Sequence, residues 1–241
     1  MTRRLDGPTI TNTRTHERTI QRAVFSSLGA VVLTLPLSTA AQEQVDPQAL
    51  ARALQRKYDT VRDFSADFVH TYEGGVLRKT IRESGKLVVR KPGQMRWTYT
   101  KPEEKTFVSD GRKLYSYIPA DRQVYVTSVP PEDQASTPAL FLAGKGNLLR
   151  DFNVSAATRP REAGADGVAL TLVPRTKERD YDSLVLVVDR QTLQLRSLIA
   201  EDRQGGRSAF TFSSLRENIG VPDREFEFKI PRGADVITDT K

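Results

Sequence analysis

The sequence predicts a mostly β protein built on one large antiparallel sheet. Three observations carry this reading. About 11 short runs alternate apolar and polar residues with a period of two, the spacing of a half-buried strand. Turn-forming pairs such as Asp110-Gly111, Asp166-Gly167 and Gly205-Gly206 separate successive runs, as short hairpins require. Strands and helices do not alternate in the βαβ manner, so the pairing is expected to be antiparallel.

Taken in chain order, the first element is a helix. Asp46 can cap it, Pro47 suits its first turn, and Val45 can staple onto Leu50. Leu50, Ala53, Leu54, Tyr58 and Val61 continue at helical spacing, while Arg52, Gln55, Arg56 and Asp59 face water. From Phe64 the period changes to two: Phe64, Ala66, Phe68, His70 and Tyr72 share one face, and Gly74-Gly75 turns the chain. Further strands are predicted at Ile81 to Arg90, Gln94 to Thr100, Lys105 to Ser109, Lys113 to Ile118, Gln123 to Ser128, Asn153 to Ala157, Val168 to Pro174, Ser183 to Asp189, Leu195 to Glu201, Ser208 to Asn218 and Glu225 to Lys229. Between the fifth and sixth of these further runs, Pro130-Pro131 and the apolar clusters Ala139 to Ala143 and Asn147 to Arg150 break the pattern and read as one or two short helices.

A sheet of that size must curl, and one long helix cannot cover it. Its concave face can be filled by side chains, by helices or by a ligand. Trp97, Tyr99, Tyr115 and Tyr117 supply the broad amphipathic surface that lines apolar pockets, although each taken singly also suits a plain core.

The N-terminus reads as a targeting segment. Arg14, Arg18 and Arg22 precede an apolar run from Ala23 to Leu37 that is too short to span a bilayer comfortably and is interrupted by Pro36. Small residues before Gln42 fit cleavage after Ala41, so residues 1–41 are expected to be a signal peptide with an extended polar start, and 42–241 a single soluble domain in an extracytoplasmic compartment. The leader holds five Arg against Asp6 and Glu17, which accounts for three of the net +7 charges. The remainder is only mildly basic, and no Arg-rich helix points to nucleic acid.

Catalytic chemistry is not written in the motifs. The chain has no Cys, which excludes disulfides, thiolate metal sites and Cys nucleophiles. HExxH, GxSxG, Walker A and GxGxxG patterns are absent, and His70 is the one histidine after the leader. A structural His suits it better than a lone base, and no metal or cofactor is expected.

Five segments in order resemble the periplasmic lipoprotein carrier family, LolA, from about Asp46 to Ile237. They are Asp63-Phe64-Ser65-Ala66-Asp67-Phe68; Gly85 to Pro92 followed by Met95-Arg96-Trp97; Phe107 to Tyr115 with its Ser109-Asp110-Gly111 turn; Thr137-Pro138-Ala139-Leu140-Phe141-Leu142; and Phe226 to Val236. The resemblance implies an incomplete, or half, β-barrel: a curved antiparallel sheet closed by a lid of short α-helices over an apolar hollow. It further implies a non-enzymatic, monomeric periplasmic chaperone. Such a chaperone shelters lipoprotein acyl chains, receives cargo from an inner-membrane ATP-driven releasing complex, and delivers it to an outer-membrane receptor. A carrier of another lipid or glycolipid with the same hollow is the alternative. In the family an Arg at the end of the second strand holds the lid; Lys91 stands at the matching position, a point charge without the planar fork, and Arg96 is a candidate to share the task. The resemblance and the apolar pattern together place Met95, Trp97, Tyr99, Tyr115, Tyr117, Leu140, Phe141 and Leu142 in the cavity or its lid.

Overall fold

Asp46 accepts a hydrogen bond from the Gln48 amide at 2.9 Å and so caps helix α1, Pro47–Thr60, with Pro47 in its first turn. This computed structural model describes residues 46–75, 79–129, 142–144, 146–158, 160–177 and 181–238. All of them fall in one compact unit, Glu43–Lys241. The expected leader, Val45, the Pro130-Pro131 break and the lid residues Leu140 and Phe141 lie outside the described residues.

Twelve strands follow α1 in one sheet: β1 Asp63–Glu73, β2 Thr80–Arg90, β3 Gln94–Lys101, β4 Lys105–Asp110, β5 Lys113–Ile118, β6 Gln123–Ser128, β7 Phe152–Ala156, β8 Gly167–Pro174, β9 Ser183–Asp189, β10 Leu195–Glu201, β11 Arg207–Glu217 and β12 Asp235–Thr238. The order is β12-β6-β5-β4-β3-β2-β1-β11-β10-β9-β8-β7, so the first strand lies near the middle and the last at one edge, and apart from β6 to β7 and β11 to β12 consecutive strands pair as antiparallel neighbours. Strands β1 to β11 lie within one residue of the predicted runs, because each is bounded by a local turn that the sequence announces. At the β4–β5 hairpin, for example, Asp110 Oδ1 accepts from the amides of Arg112 and Lys113 at 2.8 and 2.7 Å.

Two expectations are corrected at the C-terminus. Glu225 to Lys229 is not a strand; residues Asp223–Phe226 make a 3-10 turn, and the chain then runs on without a ladder. The reason is that side chains take the backbone oxygens. Arg96 donates to the carbonyls of Glu225 at 2.6 Å and Glu227 at 2.8 Å, and Arg90 to that of Val221 at 3.0 Å. The last strand instead forms at Asp235–Thr238 and pairs with β6 in parallel, the one departure from antiparallel pairing in the sheet.

A short helix α2, Leu148–Asp151, occupies part of the predicted mid-chain helical region and is capped by Asn147, whose side chain accepts from the Leu149 and Arg150 amides. It contacts α1: the Leu148 amide donates to Gln55 Oε1 at 2.9 Å.

The register divides the residues between two faces. Ala66, Leu87, Trp97 and Phe107 lie opposite one another on β1, β2, β3 and β4, and Phe64, Val89 and Met95 form the next row. Those rows, with Leu170, Leu172, Leu184, Leu186 and Leu198, build the main core on the face that α1 covers through Leu50, Ala51 and Leu54. Close approach demands a glycine at one point: a Cβ on Gly85 would stand 2.0 Å from the Thr98 carbonyl oxygen, at the irregular start of the β2–β3 ladder.

Candidate functional site

Between α1 and the covered face lies a small apolar cavity of about 50 Å³, walled by Leu54, Tyr58, Val61, Phe64, Leu142, Leu148, Leu186, Val188, Leu193, Leu195 and Leu215. Lys57 and Glu217 form its polar edge. They pair at 2.5 Å and tie α1 to β11. The volume is about a third of the ~150 Å³ that holds a benzene in an engineered apolar cavity. A long acyl chain therefore enters only if the covering elements move; in this arrangement the hollow is largely filled by the protein's own side chains.

The contacts that hold the cover converge on the β2–β3 turn. Lys91 Nζ donates to the Tyr58 carbonyl in the last turn of α1, where the helix dipole favours a cation. The ammonium also stands 3.5 Å from the centroid of the Tyr58 ring. The Tyr58 hydroxyl in turn donates to the Leu142 carbonyl at 2.5 Å, and the Gly93 amide donates to the Ala143 carbonyl at 2.8 Å. Gly144, with φ +87°, presses on the Lys91 stem so closely that a Cβ there would meet Lys91 Cδ at 2.4 Å. Lys91 thus touches both α1 and the 142–144 segment. Tyr58 and Gly144, the partners of Lys91, carry no sequence signal for this contact; the helical spacing marks Tyr58 only as an apolar-stripe residue.

Burial pulls the Lys91 ammonium down to about 8, with Asp59 opposing the shift, and burial pushes the Tyr58 phenol up, so that it stays protonated. Because burial disfavours the charged form, the unfolded chain binds the Lys91 proton more tightly. Folding stability is therefore expected to rise as pH climbs from about 8 towards the ordinary lysine value of 10.5. Urea midpoints of wild type and Lys91→Met across this window check it: the wild-type curve should gain on the variant, and parallel curves would disprove the assignment.

Met95, Trp97 and Tyr99 all point to the covered face and are buried there, and Leu142 is buried beside the cavity. Phe68 joins them, 5.0 Å from Trp97 and 4.8 Å from Tyr99 between ring centroids, both edge-on. Tyr115 and Tyr117 do not join them. Tyr115 pairs with Val108, which pairs with Arg96, so both tyrosines belong to the opposite face. There Tyr115 stacks on Phe228 at 5.2 Å, and Phe228 lies 6.2 Å from Tyr117. Arg96 shares that face and grips the C-terminal segment, which removes it from the latch. Arg90 does the same, pairing with Asp223 and lying 5.1 Å over the Phe226 ring.

At the other end of the aromatic row, a polar cluster closes the face. His70 Nδ1 lies 3.3 Å from Glu83 Oε2 and its Nε2 2.9 Å from Ser208 Oγ, while Lys105 pairs with Glu83 at 2.5 Å. The His70 ring stacks flat on Phe210 at 4.2 Å. Burial holds the imidazole below its ordinary value although Glu83 pulls the other way; burial also opposes the Glu83 charge, but Lys105 and His70 keep that carboxyl below the usual range. This cluster serves as a satisfied polar end to an apolar trough. Among the described residues no group of acids and histidines is arranged to hold a metal ion.

The family model described as outer membrane lipoprotein carrier protein LolA matches residues 59–229. An outer-membrane lipoprotein carrier protein of Chromohalobacter salexigens is 32% identical over 212 residues, covering 87% of this chain and 95% of that protein. One of Pseudomonas putida is 31% identical over 208 residues, with 86% and 95% covered. Among solved structures, a LolA superfamily protein of Nitrosomonas europaea aligns with a TM-score of 0.42 at 15% identity over 74% of this chain and 97% of its own. An uncharacterized conserved protein of Thermus thermophilus aligns with a TM-score of 0.47 at 13% identity over 79% and 98%.

Proposed function

Because this chain belongs to the LolA family of outer membrane lipoprotein carriers, we propose that it is a periplasmic chaperone that shelters the acyl chains of lipoproteins in the trough beneath α1. The observation that carries the reading is an apolar, aromatic-rich sheet face covered by a helix, with a cavity beneath it and a charged latch at its rim. Cargo is released to the carrier by an ATP-driven complex of the inner membrane and passed to a receptor in the outer membrane. Residues 1–41 direct export and are removed, leaving 42–241 as one carrier domain. None of the described helices is long and apolar enough to cross a membrane.

The energetics require both a hollow and a latch. Burial gains about 0.8 kcal/mol per CH₂, on the order of 13 kcal/mol for a sixteen-carbon chain, so an acylated protein does not cross water unescorted. A carrier that kept all of that energy would never let go. Opening must therefore cost something: Lys91 leaves the Tyr58 carbonyl and ring, Tyr58 leaves Leu142, and apolar surface of α1 is uncovered. Lys91 acts as the latch that makes the closed, empty state favourable and so drives release.

The test is to incubate the protein lacking residues 1–41 with spheroplasts making labelled lipoproteins. Labelled lipoproteins should appear in the soluble fraction, bound to the carrier. If the folded protein leaves them in the membrane, the lipoprotein reading fails, and mass spectrometry of copurified lipids then identifies any other acyl cargo.

A further inference from the structure

We propose that the indole N–H of Trp97 is the receptor for a carbonyl oxygen of the cargo's acyl ester, which fixes the depth and direction in which the chain lies in the trough; this rests on the carrier reading above. Trp97 is 4% exposed, and its Nε1 is buried with no hydrogen-bond partner among the described residues. An indole nitrogen can only donate, and a buried donor left unpaired is a standing cost to the empty protein. Such an atom is rare enough in a folded protein to call for an explanation.

The surroundings point to what would satisfy it. Phe68 and Phe210 pack edge-on against the indole, with ring centroids 5.0 and 5.1 Å away, so an acceptor that reaches the N–H enters an apolar, aromatic surround and is best carried by an apolar body. An acyl chain carries one strong acceptor, its carbonyl, at the end of a hydrocarbon. Trp97 stands at the boundary where such a group belongs. One row along the same face, two residues or about 7 Å away, lie Met95 and Phe64, and Phe64 walls the cavity under α1. On the other side Phe210 connects Trp97 to His70 and its partners Ser208 and Glu83. With the carbonyl on Trp97, the tail runs towards the cavity and the glycerol end faces the polar cluster.

The chain contains a single Trp, so one indole N–H resonance reports on this atom alone. The experiment compares dioctanoylglycerol with the dioctyl diether of glycerol, which differ in the carbonyl oxygens. Each is titrated into the ¹⁵N-labelled protein and also used to displace a fluorescent apolar dye from the trough. In the wild type the diester should move the indole proton downfield and bind about three- to tenfold more tightly than the diether, the worth of one neutral hydrogen bond. In Trp97→Phe the diester's advantage over the diether should vanish, the ratio of the two affinities being the readout. Equal binding of the two lipids with an unmoved indole signal overturns the Trp97 assignment and leaves the acyl-carrier reading intact. Failure of both lipids to displace the dye overturns both. Because the spectrum is taken on the wild type, the test does not depend on how the variant folds.

Discussion

Replacing Lys91 with leucine is expected to raise the affinity of the trough for an acyl probe by about tenfold and to slow delivery to an acceptor membrane or receptor by a similar factor. On the proposed reading, the Lys91 contacts favour the closed state alone. Lys91 donates to the Tyr58 carbonyl, lies over the Tyr58 ring and packs its stem on Gly144, and all three contacts are broken when the cover lifts. Removing about 1.4 kcal/mol from the closed state shifts the open, cargo-binding state by one factor of ten. Loading is thereby eased and release loses its driving force. Dye displacement measures the first effect and transfer of labelled lipoprotein the second. Gly144→Ala reaches the same contact from the other side, since its Cβ would collide with Lys91 Cδ and its φ of +87° disfavours a side chain, and it should shift both measurements in the same direction. Unchanged affinity and delivery in both variants would remove the latch from the mechanism.

Replacing Phe226 with alanine is expected to cost about 3–5 kcal/mol of folding stability, the range for truncating a fully buried Phe. Phe226 is 1% exposed although it sits in a turn without ladder hydrogen bonds, and it fills the opposite face of the sheet under the Arg90 guanidinium. Its loss leaves a cavity under the Arg90 guanidinium and loosens a segment otherwise tied to the sheet by the Arg90–Asp223 pair, the Arg90 and Arg96 bonds to backbone carbonyls and the Tyr115–Phe228 stack. Urea unfolding followed by far-ultraviolet circular dichroism measures it. A drop of less than about 1 kcal/mol would show that the C-terminal segment does not stabilise the sheet. Acyl binding by the folded fraction should persist, because the segment lies on the face away from α1.

Much of the fold was legible because its causes are local. The Asp46 cap, the Pro47 start, the period of two and the Asp-Gly and Gly-Gly turns act within a few residues, and each places a helix or strand end where the structure has it. Part of the site was legible for the same reason. Met95, Trp97 and Tyr99 alternate along one strand, so whichever face takes one takes all three. Other features gave no local signal. The Glu225 to Lys229 run has strand-like alternation, yet two of its carbonyls, those of Glu225 and Glu227, are claimed by Arg96, about 130 residues earlier in the chain.

By itself, then, the sequence determined where α1 and strands β1 to β11 begin and end, that one sheet face is apolar and aromatic, and that no Cys chemistry exists. Only the tertiary structure decided which side of the sheet Tyr115 and Tyr117 occupy, that β12 adds in parallel, and that Lys91 reaches Tyr58 and Gly144. The physical reason is register: parity along one strand is a property of the chain, but parity between strands passes through turns and bulges, and a slip of one residue moves every side chain to the other face.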